Sequence, residues 1–291
     1  MNQSSTSQVH HYVPKFLLEN WIEDESTGHI SGYWWNSRTN GVYCKKKGAK
    51  GFCCERGLYP LSKHELGVNA IESEFFQKID SKAGSIIDKV KHGQTLDKDE
   101  KIMFASFVLS LKGRRPNIAA TLRNAVPELI LEELDSNMEL IDTLEEMNIQ
   151  DKPSELIRRK GVNLEDRSIA MIQRISTPIE VIMSLSNSSW CFREFKDIEE
   201  SLAISDNPLI AFNGYESKKS SWLLPISPRI LFIASHSSRG IRRAQMISDI
   251  NLIRMINEIS ITQIDRFLIS EERNADWIKW RLPLTRHFRY A

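Results

Sequence analysis

At 291 residues with 41% hydrophobic side chains and a formal net charge of +1, the chain is long enough to bury a sizeable core, and no overall charge draws it to nucleic acid or an anionic membrane. Its four cysteines include the vicinal pair Cys53 and Cys54, a poor disulfide framework, and the first residues lack a signal-peptide pattern, so a reducing, cytoplasmic setting is expected. No apolar run approaches the ~20 residues needed to cross a bilayer, and no membrane partner is expected.

Residues 1–9 read as a polar, disordered tail ahead of one domain spanning 10–291. In VHHYVPKFLLENWIE, Pro14 fits the first turn of a short helix that sets Phe16, Leu17 and Trp21 on one face. HISGYWWN and GVYCKKK, joined by SRTNG, predict a β-hairpin near residues 29–48, with GFCCERGLYP as an irregular or short-strand continuation. From Glu65 the texture becomes helical: Val68, Ile71, Phe75, Ile79, Ile86 and Val90 trace an apolar stripe that Gly93 closes. Asp97 followed by Glu100 is a capping-box pattern, and the helix it opens ends at Gly113 with Pro116 beyond. That helix carries IMFASFVLSL, apolar nearly all round, and is expected at the centre of the fold. Asn117–Asp135 predicts a third helix, kinked or split at Pro127. Met138–Asn148 and Asp166–Ser186 supply two more, the second interrupted by Pro178. After Asn187, SSWCFREF, SLAIS, PLIAF, SWLLP and RILFIAS read as strands divided by turn residues. Residues 248–269 return to helix with Ile250, Ile253, Met255, Ile256 and Ile259 toward the core. The sum is an α+β fold: a helical body over about 65–187, an N-terminal β-hairpin, and a C-terminal antiparallel sheet in a β-rich part over about 188–236.

Charge is segregated along the chain. Between Pro127 and Gln150 stand eight acids and no base; between Glu216 and Asp249 stand six bases (Lys218, Lys219, Arg229, Arg239, Arg242, Arg243) and no acid. An acidic patch and a basic patch follow.

The segments HHYVPKFLLENW, ERGLYP, NAIESEFFQKID, KGRRP, AISDNPLIAF and LLPISPRILFIAS occur in an order that resembles the bacterial and phage-borne domain-of-unknown-function family number four-two-three-eight, whose members open with H-Y-V-P-[KRQ]-F. The resemblance covers His10 to about Ser270. It matches His11 and Pro14 to the opening signature, Glu72 to the acid of an Ile-Glu step, Arg114 to the Arg of R-x-P, and Asp206, Asn207 and Pro208 to the SDNP turn. It implies one continuous domain and a set of candidate positions, and no mechanism.

Four sets of residues bear on chemistry. His11 with Pro14 resembles the opening of His-metal finger nucleases, in which a histidine activates water and a divalent ion clamps the scissile phosphate. Here the next partner candidates are Asn36, Asn40, His64 and Asn69, with the hairpin intervening and the element after His11 reading as helix instead of strand, and the bland alternative is a His11 that caps the helix or bonds to backbone. A zinc site from His10 or His11 with Cys44, Cys53, Cys54 and His64 has the wrong spacing. Arg114, just past a helix end, and Asp206 with Asn207, between strands, fall where loops present polar groups to solvent or a ligand; a turn former and an ion-paired arginine are the bland alternatives. The stretch from Lys218 to Arg243, with Trp277, Trp280, Phe288 and Tyr290 of the C-terminal tail, suits either a nucleic-acid backbone with stacked bases or an acidic partner, including the acidic segment of another copy. G-x-x-x-x-G-K, G-x-G-x-x-G and G-x-S-x-G are all absent.

The leading expectation is therefore a prokaryotic enzyme on nucleic acid or another phosphate ester, in a defence or toxin role. His11 is the general base, Asp206 the ligand of Mg2+ or Mn2+, and Arg114 the phosphate clamp, with Asn207, Arg239, Arg242 and Arg243 as binding residues. The alternative is a non-catalytic recognition module whose same loops bind a protein or small ligand.

Overall fold

A computed structural model describes residues 9–61, 68–214, 217 and 219–287. His64, Glu65, Glu216, Lys218, Phe288 and Tyr290 lie outside them. Strand β1 (Val9–His11) leads into helix α1 (Lys15–Leu18), where Pro14 stands at the N-cap, and a 3-10 turn over Glu19–Trp21. Leu17, Leu18 and Trp21 are buried, and the Trp21 indole donates to the Leu202 carbonyl at 2.9 Å, tying the chain start to the C-terminal half.

The hairpin consists of β2 (His29–Asn36) and β3 (Gly41–Gly48), paired in register from His29 with Gly48 to Asn36 with Gly41. Asn40 takes φ 50° at the turn, the left-handed conformation that asparagine tolerates best among side-chain-bearing residues. Strand β4 (Cys54–Arg56) then pairs with β1.

A π-helical turn over Ile71–Phe76 runs into α2 (Gln77–Lys91). Helix α3 (Lys98–Gly113) opens on the reciprocal Asp97 and Glu100 capping box and buries Phe104, Phe107, Val108 and Leu111 completely. It is the central helix, crossed by α2 and by the short helices that follow. The split expected at Pro127 is present, and the segment carrying Pro178 divides further than expected. Pro127 falls in the first turn of a new helix, so the third helix splits into α4 (Pro116–Asn124) and α5 (Val126–Ser136). Helices α6 (Met138–Glu146) and α7 (Pro153–Arg159) come next, the latter not anticipated. The expected single helix over 166–186 is three: α8 (Leu164–Ala170), α9 (Ile172–Ser176) and α10 (Ile179–Ser186), with Pro178 at the N-cap of the last.

Strands β5 (Ser189–Glu194), β6 (Ile204–Ser205), β7 (Ile210–Phe212), β8 (Ser221–Ser227) and β9 (Ile230–Ser235) follow, and β5, β9, β8 and β7 form an antiparallel sheet in that order. Beyond it come α11 (Ser238–Met246), α12 (Asp249–Thr262), β10 (Leu268–Ile269) and α13 (Ala275–His287). Strand β6 leaves the C-terminal sheet and joins β10 in extending the hairpin, giving the order β3-β2-β10-β6. The fold is thus α+β, with the N-terminal hairpin completed by strands from the C-terminal half. In α12 the buried side is Leu252, Ile253, Ile256 and Ser260, while Ile250 and Met255 face solvent; the expected core face was rotated by part of a turn.

Candidate functional site

Alternation along β2 and β3 sorts the hairpin into two faces. Tyr33 and, less deeply, Trp35 and Val42 pack with Ile264, Leu268, Ile278 and Leu282 beneath α13. The opposite face carries the cross-strand partners Trp34 with Tyr43, Gly32 with Lys45, and Ile30 with Lys47. There Tyr43 and Lys45 are exposed and Trp34 is half-buried. Gly32 makes room for a ring: a Cβ at that position would stand 2.2 Å from Phe52. Phe52 lies across the strand, with the Lys47 ammonium 4.3 Å from its centroid.

Phe267, on the turn before β10, meets Phe52 edge-on at 5.6 Å and Trp34 at 6.2 Å, and Trp34 stacks on Tyr43 at 5.8 Å. Trp34, Phe52, Phe267, Lys45, Lys47 and Arg266 line a cleft of about 520 Å³. Lys45 has no ion-pair partner among the described residues, and Arg266 pairs with Glu55 at 3.1 Å. A second cleft of about 360 Å³, lined by Tyr12, Glu55, Asn117 and Asp206, shares Asp265 and Arg266 with the first.

Asp206 holds this arrangement together. It is fully buried at the end of β6, and its carboxylate accepts the N–H groups of Asp265 (2.8 Å), Arg266 (2.6 Å) and Phe267 (3.1 Å). Burial pushes its carboxyl up to about 6 against the pull of those three donors. The carboxylate expected in a solvent-facing loop as a metal ligand is instead the anchor of the turn that carries Arg266 and Phe267. Asn207 is half-buried, and its carbonyl accepts the Ser205 hydroxyl at 2.8 Å.

Arg114 likewise lies inside, completely buried, where the loop reading placed it toward solvent. Its guanidinium donates to Asp80 Oδ2 at 3.0 Å and to Ser110 Oγ at 2.5 Å, lies 2.9 Å from Asp80 Oδ1 as an ion pair, and stands 4.4 Å from the centre of the Phe76 ring. Glu72, on the π-helical turn, faces the same charge; burial lifts its carboxyl to about 7, with Arg114 opposing the rise. A π-helical turn commonly marks a site under functional constraint.

Of the two histidines, His10, which has no separate role in the sequence reading, is the more enclosed. His10 is buried, its Nδ1 accepting from the N–H groups of Leu58 and Tyr59 at 3.1 and 3.2 Å, so its proton sits on Nε2 and goes to Asn69 Oδ1 at 3.2 Å. It is a neutral brace between β1 and the segment after β4. His11 is part-exposed, and its Nε2 contacts the Lys50 carbonyl at 3.3 Å, the backbone bond of the bland alternative. Burial lowers both rings below the usual histidine range. Neither His11 nor Arg114 lines the cleft that Asp206 borders. Arg239, Arg242 and Arg243 stand on α11, which packs over the other four-stranded sheet. Trp277 is partly buried under the hairpin, and Trp280 is exposed.

Among the described residues no group of three or more His, Cys, Asp and Glu side chains is placed to hold a metal ion, and no helix is long and apolar enough to cross a membrane. The open cleft was missed in the sequence, although Tyr43, Lys45 and Lys47 at period two opposite Trp34 were a readable signal for it. Asp80 carried no such signal.

Residues 9–274 match the family model described as "Protein of unknown function (DUF4238)". No curated protein and no solved structure matches the chain.

Proposed function

The chain belongs to that family, whose description names no activity, and we propose from the geometry that the protein recognises single-stranded nucleic acid on the open face of its hairpin. The observation that carries the reading is the meeting of the half-buried rings of Trp34 and Phe267 with Lys45, Lys47 and Arg266 in one cleft of about 520 Å³, whose floor is the buried ring of Phe52. Unpaired bases offer π-faces that stack on such rings whatever their identity, and a sugar-phosphate backbone offers the charge that the three cations need. A duplex keeps its bases stacked on one another and gains only the electrostatic part. The second cleft, joined through Arg266, continues the path for a neighbouring nucleotide.

The hydrolytic reading, with Mg2+ or Mn2+ on Asp206 and a defence or toxin role, draws less support. Asp206 and Arg114 are both occupied by internal partners, and His11 faces a backbone carbonyl. Binding is tested by fluorescence anisotropy with labelled single strands of about 12 nucleotides, DNA and RNA, against the matching duplex. Single strands should bind more tightly, with log K falling against log salt at a slope near −2, as about three neutralised phosphates require. Trp34→Ala should weaken binding by roughly 1–3 kcal/mol, the worth of one stacked base. Equal affinity for duplex and single strand, or no binding at low salt, removes the proposal. Strand cleavage in Mg2+ or Mn2+ that His11→Ala abolishes would restore the hydrolytic one.

A further inference from the structure

Two surfaces away from the cleft are each incomplete, and they fit each other. Helix α6 buries none of its residues; Met138 and Met147 at its ends are 67% and 64% exposed. An amphipathic helix with its apolar side left open is stabilised by a partner that covers it. Beside it runs a groove of about 580 Å³ whose floor is Ile141, Leu144, Ile149 and Pro153. Of its charged lining residues, Asp135 is bonded to Ser154, Asp151 is paired with Arg159 and Lys152 is the one cation, while Glu145 has no ion-pair partner among the described residues; Asp142 and Glu146 are exposed on the same helix, likewise without one.

Helix α11 is the complement. Ile241 faces the sheet, and Arg239, Arg242 and Arg243, spaced to share one side, point to solvent without an ion-pair partner among the described residues. At its end Met246 is 86% exposed, the highest value for any large hydrophobic residue among those described. A flexible, polarisable thioether at the end of a cationic helix suits an apolar groove with an acidic rim.

We propose that this groove is the docking site for α11 of a second copy of the chain, with Met246 over Ile141 and Leu144, and with Arg242 and Arg243 against Asp142 and Glu145. The partner is assigned by charge and shape. The groove is lined by three acids (Asp135, Glu145, Asp151) and one base (Lys152), the segment from Pro127 to Gln150 that carries α6 holds eight acids and no base, and the α11 segment holds bases and no acid. The two surfaces are different, so the contact is head-to-tail: each copy that docks its α11 still presents an open groove, and assembly grows into a ring or a filament. The contact uses neither the hairpin cleft nor its cations and stands or falls apart from nucleic-acid binding.

The test uses the whole protein with Cys44, Cys53, Cys54 and Cys191 replaced by serine or alanine. Met246→Cys protein mixed with Leu144→Cys protein should give a cross-linked dimer under mild oxidation, and neither should do so alone. In sedimentation velocity the parent protein should associate with rising concentration and dissociate in high salt. Arg242→Glu with Arg243→Glu should weaken association roughly tenfold or more, the scale of losing close charge pairs. Mixing that variant with Asp142→Arg, Glu145→Arg protein should restore a heterodimer. Because all four charges are exposed, circular dichroism should match the parent throughout. A monomer at every concentration in low salt overturns the proposal, and so does a cross-link that forms in Met246→Cys protein alone. Association that nucleic acid induces but protein concentration does not would show the arginines serving another ligand.

Discussion

The hairpin cleft and the Arg114 cluster use the same kinds of group to opposite ends. In the cleft, Lys45 and Arg266 stand at the surface beside the half-buried rings of Trp34 and Phe267; in the cluster, Arg114 is enclosed with Asp80, Glu72 and Phe76. An exposed cation keeps its hydration and remains available to a ligand's phosphate, whereas a buried one has lost its water and depends on every partner it has. The comparison separates residues that act on something outside from residues that hold the inside. It places two of the three sequence candidates, Arg114 and Asp206, on the holding side.

The largest effect should come from breaking the enclosed side. Arg114→Ala removes a fully buried side chain and leaves the half-buried Asp80 and Glu72 without their counter-charge, a loss of about 2–4 kcal/mol in urea-induced unfolding. Arg114→Met paired with Asp80→Leu should recover much of it, since the charge and its partner leave together. If Arg114→Ala unfolds at the parent's urea midpoint, the cluster is not structural. Next comes Asp206→Ala, which strands three backbone N–H donors and should cost roughly 1–3 kcal/mol. Because those donors belong to the turn of Arg266 and Phe267, the same variant should also lose single-strand binding, which a purely stabilising residue elsewhere in the core would spare.

Short-range features were legible because short-range forces make them. The Asp97 and Glu100 capping box, the Asn40 turn and the all-apolar α3 need only neighbours within a few residues. The anchor of Asp206 lies 59 to 61 residues away on the turn at 265–267, and no local pattern announces it. Both candidate loops look solvent-facing from their turn residues and are sealed by tertiary packing. Helix α11 carries Gly240, a poor helix former, inside its basic stretch. That glycine is required by close approach: a Cβ there would stand 2.5 Å from Ser235 Oγ on β9. The expected acid and base runs were visible, but which helix faces they occupy depended on Ile241 docking against the sheet.

A third perturbation acts through pH. The Glu72 carboxyl is raised from 4.5 to about 7 in the folded chain, so between those values the folded state holds a proton that the unfolded state has released. Stability is fully present below about pH 4.5, falls as pH rises toward 7, and levels off above it. Asp206, raised to about 6 by burial, adds in the same direction. Glu72→Gln cannot ionise and should be more stable than the parent near pH 8 by roughly 1–2 kcal/mol, and equal to it near pH 4, the figure being discounted because Glu72 is partly exposed. Urea midpoints at the two pH values decide the matter: an unchanged pH slope in Glu72→Gln means that another group carries it.

The smallest expected effect on stability belongs to the open side and is the sharpest test of the contrast. Lys45→Gln lies on a solvent-facing strand position with no ion-pair partner among the described residues, and such a change should move stability by less than about 0.5 kcal/mol. The same substitution removes one phosphate contact, so the salt slope of single-strand binding should become shallower by roughly 0.7. Gly32→Ala makes the reciprocal point without altering charge, at a larger cost in stability of roughly 1–3 kcal/mol, since its Cβ would meet the buried Phe52 ring at 2.2 Å and shift it beneath Trp34 and Phe267. Binding should then fall while the salt slope stays at the parent value, because the stacking platform is disturbed and every cation remains. A Lys45→Gln protein that destabilises strongly, or a Gly32→Ala protein that binds as the parent does, would mean that the hairpin face is packing surface and not a platform for a ligand.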